Sequence, residues 1–369
     1  MVDRLQALRA AQVALWLDGD PGWPFGTEGS SEPVRLRCAG GVRLAPPAPR
    51  APRAEDRVER LGATRLREAG SAYLRLVVSN VRAVARRLRQ SHERSSGQEG
   101  LVEFGCTPDV ATDAAAIVAQ AVWLRRRGQA PNVIIGVPAS DAGVAALHEL
   151  TYRGINAAVD GVFCAERYEQ AAEAYLSGLE RRLVERRPLS RIASLAWIPV
   201  AVVDGHVDAV LQADSPLRGA VGVATAQQLH LQASRRFAGA RWRRLAGRGA
   251  EPQRLGFRAL TPNGADAHDM SHVERLTLTG SVLALTSVAL DAGCAGARLL
   301  PVEADETEIA WVLAEAAAAG ARLPAIAAEL ERATHTRAAY AYGEALEAIS
   351  DRRASRGVPP HGRLTQACC

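Results

Sequence analysis

Three carboxylates lie in otherwise apolar, strand-like runs. Asp18 closes the run from Ala11, Glu103 lies within Leu101 to Cys106, and Asp160 lies between Ile155 and Phe163. Carboxyl groups at strand ends can pass a proton or hold a cation, and crowding them raises at least one pKa. An amine nucleophile is a different matter. The chain contains no lysine, so all 45 basic residues are arginine, and a guanidinium stays protonated and attacks carbonyl groups poorly. His268 and His272 stand at i, i+4, a possible metal pair on a helix, but no third ligand is identifiable and an ordinary loop or helix surface is favoured. His206 reads as a helix-surface histidine rather than a general base, and Cys106 and Cys164 read as buried structural thiols. The six cysteines show no CxxC or zinc-type spacing, and no metal or other cofactor is expected.

These groups need elements to position them. Asn132 to Ser140 is β-branched, too short for a helix, and runs through Pro138 into a helical pattern opened by Asp141. Within it Gly136 stands where a working side chain would be expected, and it opens space instead. Seven further strand candidates are Ala11 to Asp18, Gly41 to Ala45, Leu101 to Cys106, Ile155 to Phe163, Ile192 to Asp204, Leu255 to Leu260 and Ser281 to Ser287. Helical patterns separate them, including two between Glu55 and Gln90 and alanine-rich ones from Glu303 to Asp351. Strands alternating with helices imply parallel pairing through right-handed crossovers. Eight such units fit a (β/α)8 TIM barrel of the α/β class better than an open sheet, and no glycine-rich nucleotide loop argues otherwise. Residues 1–350 are expected to form one barrel, with a Pro/Gly-rich remodelled segment at about 19–53 and a flexible tail over 351–369. The three carboxylates would then meet at its C-terminal mouth.

The bulk composition narrows the partners. A hydrophobic fraction of 48% with 23% charged residues is that of a globular chain. The formal net charge is +5, and the arginines are spread along the sequence without aromatic platforms, so no nucleic-acid partner is expected. No apolar run approaches a membrane span and the N-terminal residues lack signal-peptide order, so a cytoplasmic protein, with no membrane partner and monomeric or homodimeric, is expected.

Val133 to Ser140, followed by Gly143, resembles the Ile-Lys-Ile-Pro-Ala-Thr-x-x-Gly strand and turn of the transaldolases, specifically their longer bacterial form. Gly154 to Phe163 is similar to that family's Gly-Ile-x-x-Asn-x-Thr-Leu-x-Phe segment, and Trp16-Leu17-Asp18 looks like its first strand. Gly41 to Pro47 keeps only the frame of its Gly-Val-Thr-Thr-Asn-Pro-Ser signature. The resemblance implies a single (β/α)8 barrel of transaldolase type. In that family a three-carbon unit moves between sugar phosphates through a lysine Schiff base, which needs an amine that can be neutral. The lysine position is Gly136 here. The resemblance aligns Asp18 and Glu103 with the family's acid/base carboxylates. It places Ala158 and Asp160 at the Asn and Thr of the fifth strand, and Ala201 and Val202 at a Ser and a phosphate-binding Arg. The expected catalytic residues are therefore Asp18, Glu103 and Asp160, with Gly136, Ser140, Asn156, Ala158 and Ala201 in the substrate pocket. The expected function is a repurposed enzyme of specialised metabolism. It would perform acid/base-assisted cyclisation, proton transfer or carbon–carbon chemistry on a small molecule, with amine-bearing or cationic ones among the candidates because they would be drawn to a negative mouth. The alternative is a non-catalytic relative that binds a ligand or a protein partner.

Overall fold

The computed structural model describes residues 8, 10–19, 40–44, 63–261, 269–290 and 299–355. Eight parallel strands close into a barrel in chain order. They are β1 (Ala14–Asp18), β2 (Gly41–Leu44), β3 (Leu101–Gly105), β4 (Val133–Pro138), β5 (Ala157–Asp160), β6 (Ser194–Pro199), β7 (Arg254–Arg258) and β8 (Val282–Leu285). Pairing of β1 with β8, Ala14 opposite Val282, seals the ring. The helices around and after them are α1 (Ala63–Arg94), α2 (Ala114–Gly128), α3 (Asp141–Arg153), α4 (Ala165–Val184), α5 (Val200–Asp208), α6 (Val221–Arg236), α7 (Ala240–Ala246), α8 (Ser271–Arg275), α9 (Glu306–Ala318) and α10 (Leu323–Ser355). The single (β/α)8 barrel expected from the sequence is the observed fold.

Alternation along each strand divides the apolar residues between two cores. Ala14, Trp16, Leu101, Ile134, Ala158, Leu195, Trp197, Val282 and Ala284 pack inside the barrel. Leu15, Leu17, Val42, Val102, Phe104, Ile135, Val159 and Ile198 face the helices. Two indoles dominate the interior, with ring centroids 5.5 Å apart in an edge-to-face arrangement. Each lies across a glycine on the neighbouring strand. Trp16 is in register with Gly41 and Trp197 with Gly256. A Cβ at Gly41 would fall 2.3 Å from the Trp16 ring, and one at Gly256 would fall 2.2 Å from the Trp197 ring.

Local chemistry sets the helix ends, the N-terminal ones at the mouth and the C-terminal ones at the opposite face. Ser140 caps α3, its hydroxyl accepting from the Gly143 amide at 3.3 Å. Asp113 caps α2 by accepting from the amides of Ala115 and Ala116. Gly154 ends α3 at φ 72°, a left-handed geometry that glycine adopts without penalty.

Two boundaries differ from expectation. The run from Ile192 to Asp204 is strand only over Ser194–Pro199, and Val200 onward is α5. Apolar continuity hid the change, because both pieces are buried. Of the stretch expected as two helices before Gln90, residues 55–62 lie outside the described residues and the rest is one helix from Ala63, since Ala69, Tyr73, Val77, Val81, Val84 and Leu88 form a continuous buried stripe across Gly70. Most of the 19–53 segment, and 356–369 of the expected tail, lie outside the described residues, although α10 itself continues through Ser355. Among the described residues no single helix is long and apolar enough to cross a membrane.

Candidate active site

The C-terminal mouth is built around a cation from β2. Arg43 pairs with Asp18 of β1 at 3.6 Å, with Glu103 of β3 at 3.2 Å, and with Asp160 of β5 in a closer contact. Register explains the meeting: Asp18 is opposite Arg43, and Arg43 is opposite Glu103. Asp160 is also bound by Arg258 at the end of β7, Nε donating to Oδ1 at 2.8 Å. Glu103 is 1% exposed, and its second oxygen accepts a 2.6 Å hydrogen bond from the Trp197 indole.

Glu103, which is buried, and Asp160, which is half-buried, respond in opposite directions. Burial pushes Glu103 up to about 7; Asp160 adds to the rise, while Arg43 and the Trp197 bond only partly oppose it. Burial alone would also raise Asp160, but Arg258 and Arg43 outweigh it and hold that carboxyl below its ordinary value. Arg43 is raised despite its own burial, because Asp160, Glu103 and Asp18 all face it. Opposite shifts in neighbouring acids give one group able to exchange a proton near neutrality beside one that stays ionised.

Above this cluster is a cavity of about 700 Å³. Arg43, Glu103, Gly136 and Asp160 reach it from the strands, and Leu44, Tyr73, Phe104, Val137 and Phe163 give it apolar walls. Glu331, His335 and Tyr342 of α10 cover one side. That helix is held by Tyr342 packed edge-on against Tyr73, with centroids 5.1 Å apart. It is also held by Arg167, which binds Glu331 through two nitrogens and Asp141 at 2.7 Å. Such a volume fits a small organic molecule.

The family description Transaldolase/Fructose-6-phosphate aldolase matches residues 50–349. The chain is 32% identical over 297 residues to Transaldolase 1 of Streptomyces coelicolor, covering 78% of each protein. The chain belongs to this family. It is also 32% identical over 267 residues to a transaldolase of Thiobacillus denitrificans, covering 71% of this chain and 74% of the relative. A transaldolase of Saccharopolyspora erythraea matches over 356 residues at 28% identity, covering 94% and 97%.

Within this transaldolase-family barrel, Asp18, Glu103 and Asp160 do converge at the mouth, as does Gly136. A Cβ on Gly136 would lie 3.1 Å from Glu103 Oε1, so nothing from β4 stands between that carboxyl and the cavity. Ser140 lines the cavity while capping α3. The other pocket candidates fall elsewhere. Asn156 precedes β5 at the opposite end, its amide nitrogen donating to the carbonyls of Pro131 and Val133 and its oxygen accepting from the Ala193 amide. Ala158 is buried in the barrel interior beneath the mouth. Ala201 is buried in the first turn of α5, its amide donating to the Ala259 carbonyl.

Two further expectations are corrected. The mouth is not an open negative cluster, because Arg43 and Arg258 engage its carboxylates. The rise at Glu103 comes first from burial, with repulsion from Asp160 secondary. His268 lies outside the described residues; His272 is buried, not superficial, with Nε2 3.1 Å from the Gly219 carbonyl and 3.4 Å from Asp204. Cys106 borders the cavity with a thiol pushed up to about 12 by burial, which keeps it unreactive near neutrality. Sequence reading missed Arg43, Trp197 and Arg258. The alternation Gly41-Val42-Arg43 carried a usable signal for the first, since it puts Arg43 inward once Val42 faces the helices.

Proposed function

We propose that the mouth is the active site of an enzyme that works without a lysine Schiff base, moving a proton to or from a small organic molecule through Glu103. The observation that carries this reading is the state of Glu103: buried, poised near neutrality, fixed from both sides by Arg43 and Trp197, and uncovered toward the cavity at Gly136. Its protonated form can donate to a carbonyl or hydroxyl oxygen of the ligand, and its ionised form can take a proton from carbon or oxygen. Asp160 stays charged and holds Arg43. Asp18, the more distant partner of Arg43 at 3.6 Å, does not line the cavity and acts on the site through Arg43. Proton transfer of this kind serves cyclisation or carbon–carbon chemistry, and a role in specialised metabolism within the cytoplasm fits a member whose chain has no lysine for the family's covalent route. An amine-bearing or cationic ligand would have to displace Arg43, so a neutral ligand with a hydroxyl or carbonyl group is favoured.

Isotope exchange tests the proposal. Small-molecule extracts are incubated in D2O with wild-type protein and with a folded Glu103→Gln variant, and deuterium incorporation is read by mass spectrometry. Incorporation that needs Glu103 supports it; equal incorporation with both proteins removes it. Borohydride added with a ketose is expected to leave the internal chain mass unchanged, and a trapped internal adduct would defeat the lysine-independent reading. The second reading is a non-catalytic binding protein. It is favoured by the pairing of all three carboxylates with arginine, and it gains if no exchange occurs while a ligand co-purifies.

A further inference from the structure

We propose that a groove between α1 and α2, on the outside of the barrel, binds a nucleoside polyphosphate. Arg75, Arg82 and Arg86 of α1 and Trp123 and Arg127 of α2 line about 280 Å³ of concave surface, and the groove shares no lining residue with the mouth cavity. The α1 arginines, with Ser79, recur at spacings of three and four, so they occupy one helical stripe facing α2. Arg127 lies 5.8 Å from the Trp123 ring centroid, and that indole is 36% exposed.

The charge of this groove is unbalanced. Among the described residues none of its four arginines has an acidic partner. Elsewhere on the surface arginines do pair, as Arg89 does with Glu93, Arg153 with Glu149, and Arg241 with Glu173 and Glu180. Two of the four are held by main-chain carbonyls instead: Arg82 donates to the carbonyl of Arg127 and Arg86 to that of Arg82. Neither contact neutralises a guanidinium group. Like charges gathered around one concavity are stabilised by an anion placed between them. Guanidinium forks match phosphate oxygens in pairs, and an exposed indole offers a face to a planar ring. A single aromatic platform beside a compact charge cluster suits one nucleotide rather than a long strand.

Calorimetric titration of the full chain with ATP, pyrophosphate, adenosine and a single-stranded oligonucleotide tests the assignment. The expected result is saturable ATP binding in the sub-millimolar range, weaker pyrophosphate binding, and none for adenosine. Arg75 makes no hydrogen bond or ion pair among the described residues, so Arg75→Glu should fold normally and weaken ATP about tenfold or more. Arg82→Ala combined with Arg86→Ala should weaken it about a hundredfold. Trp123→Ala should reduce ATP affinity and leave pyrophosphate unchanged. No saturable ATP binding, or ATP affinity indifferent to both arginine variants, overturns the proposal. Arginine-dependent binding of the oligonucleotide tighter than ATP overturns it in favour of a nucleic-acid surface.

Discussion

At the scale of single residues, the mouth depends on Arg43. Its guanidinium touches carboxylates from β1, β3 and β5, so it offsets three negative groups that would otherwise repel one another across a few ångströms. Arg43→Leu leaves the buried Glu103 and the half-buried Asp160 without that offset. Removing one partner from a buried ion pair costs about 3–5 kcal/mol, and the lower figure suits a side chain with some solvent access. Urea unfolding at neutral pH should show that loss, and it should shrink as pH falls and the carboxyls take up protons. Combining Arg43→Leu with Glu103→Gln should recover part of it; an undiminished loss in the double variant would place the cost outside this pairing. The carboxylates were legible in the sequence because each interrupts an apolar run. For Arg43 only the inward direction was legible, from the alternation of its strand; its partners were not, since the inter-strand register sets it beside Asp18 and Glu103. Arg258 escaped for the same reason.

At the scale of elements, the site is aimed by strands whose interior contacts leave little slack. Trp197 fills the barrel over Gly256 and donates to Glu103, so one side chain both packs the interior and fixes the acid. Gly256→Ala would drive a methyl group into the indole plane. Overpacking of this kind costs about 1–3 kcal/mol, and a contact at 2.2 Å belongs at the upper end. The melting temperature should fall accordingly, and Gly256→Ala with Trp197→Leu should regain stability while losing the indole hydrogen bond to Glu103. If the single variant melts like wild type, the indole has an alternative position and does not fix the acid. Strand identity was readable because β-branched runs alternate with helices. The β6–α5 boundary was not, since Ile198 through Ala201 is buried on both sides of the junction and carries no polar break. Likewise the single run of α1 was not readable, since Gly70 lies inside it facing Tyr342 of α10, whose hydroxyl would be 3.4 Å from a Cβ there, and only that tertiary neighbour explains a glycine within the helix.

At the scale of the whole molecule, closure of the ring makes the protonation of one buried acid a property of the entire fold. The β8–β1 pairing leaves no free sheet edge, so exposing Glu103 fully requires opening the barrel. Folded Glu103 keeps its proton up to about 7, whereas its ordinary value is 4.5. Between those values the unfolded chain binds fewer protons than the native one, so stability falls as pH rises. The contribution is complete below about pH 4.5, declines toward pH 7, and is flat above; its full size is about 3 kcal/mol. Asp160 acts in a different window. Its folded value lies below the ordinary 3.8, so its contribution is present above that pH and disappears only in stronger acid. Asp204, whose buried carboxyl is also raised, contributes a decline with rising pH that belongs to both proteins alike and cancels on subtraction. The difference in unfolding free energy between Glu103→Gln and wild type therefore isolates Glu103. Measured in urea from pH 4.5 to pH 8, it should move steadily in favour of the glutamine variant and level off above neutrality. A difference that stays flat across that range would mean Glu103 titrates at its ordinary value, and the mouth would then have no acid poised to work near pH 7.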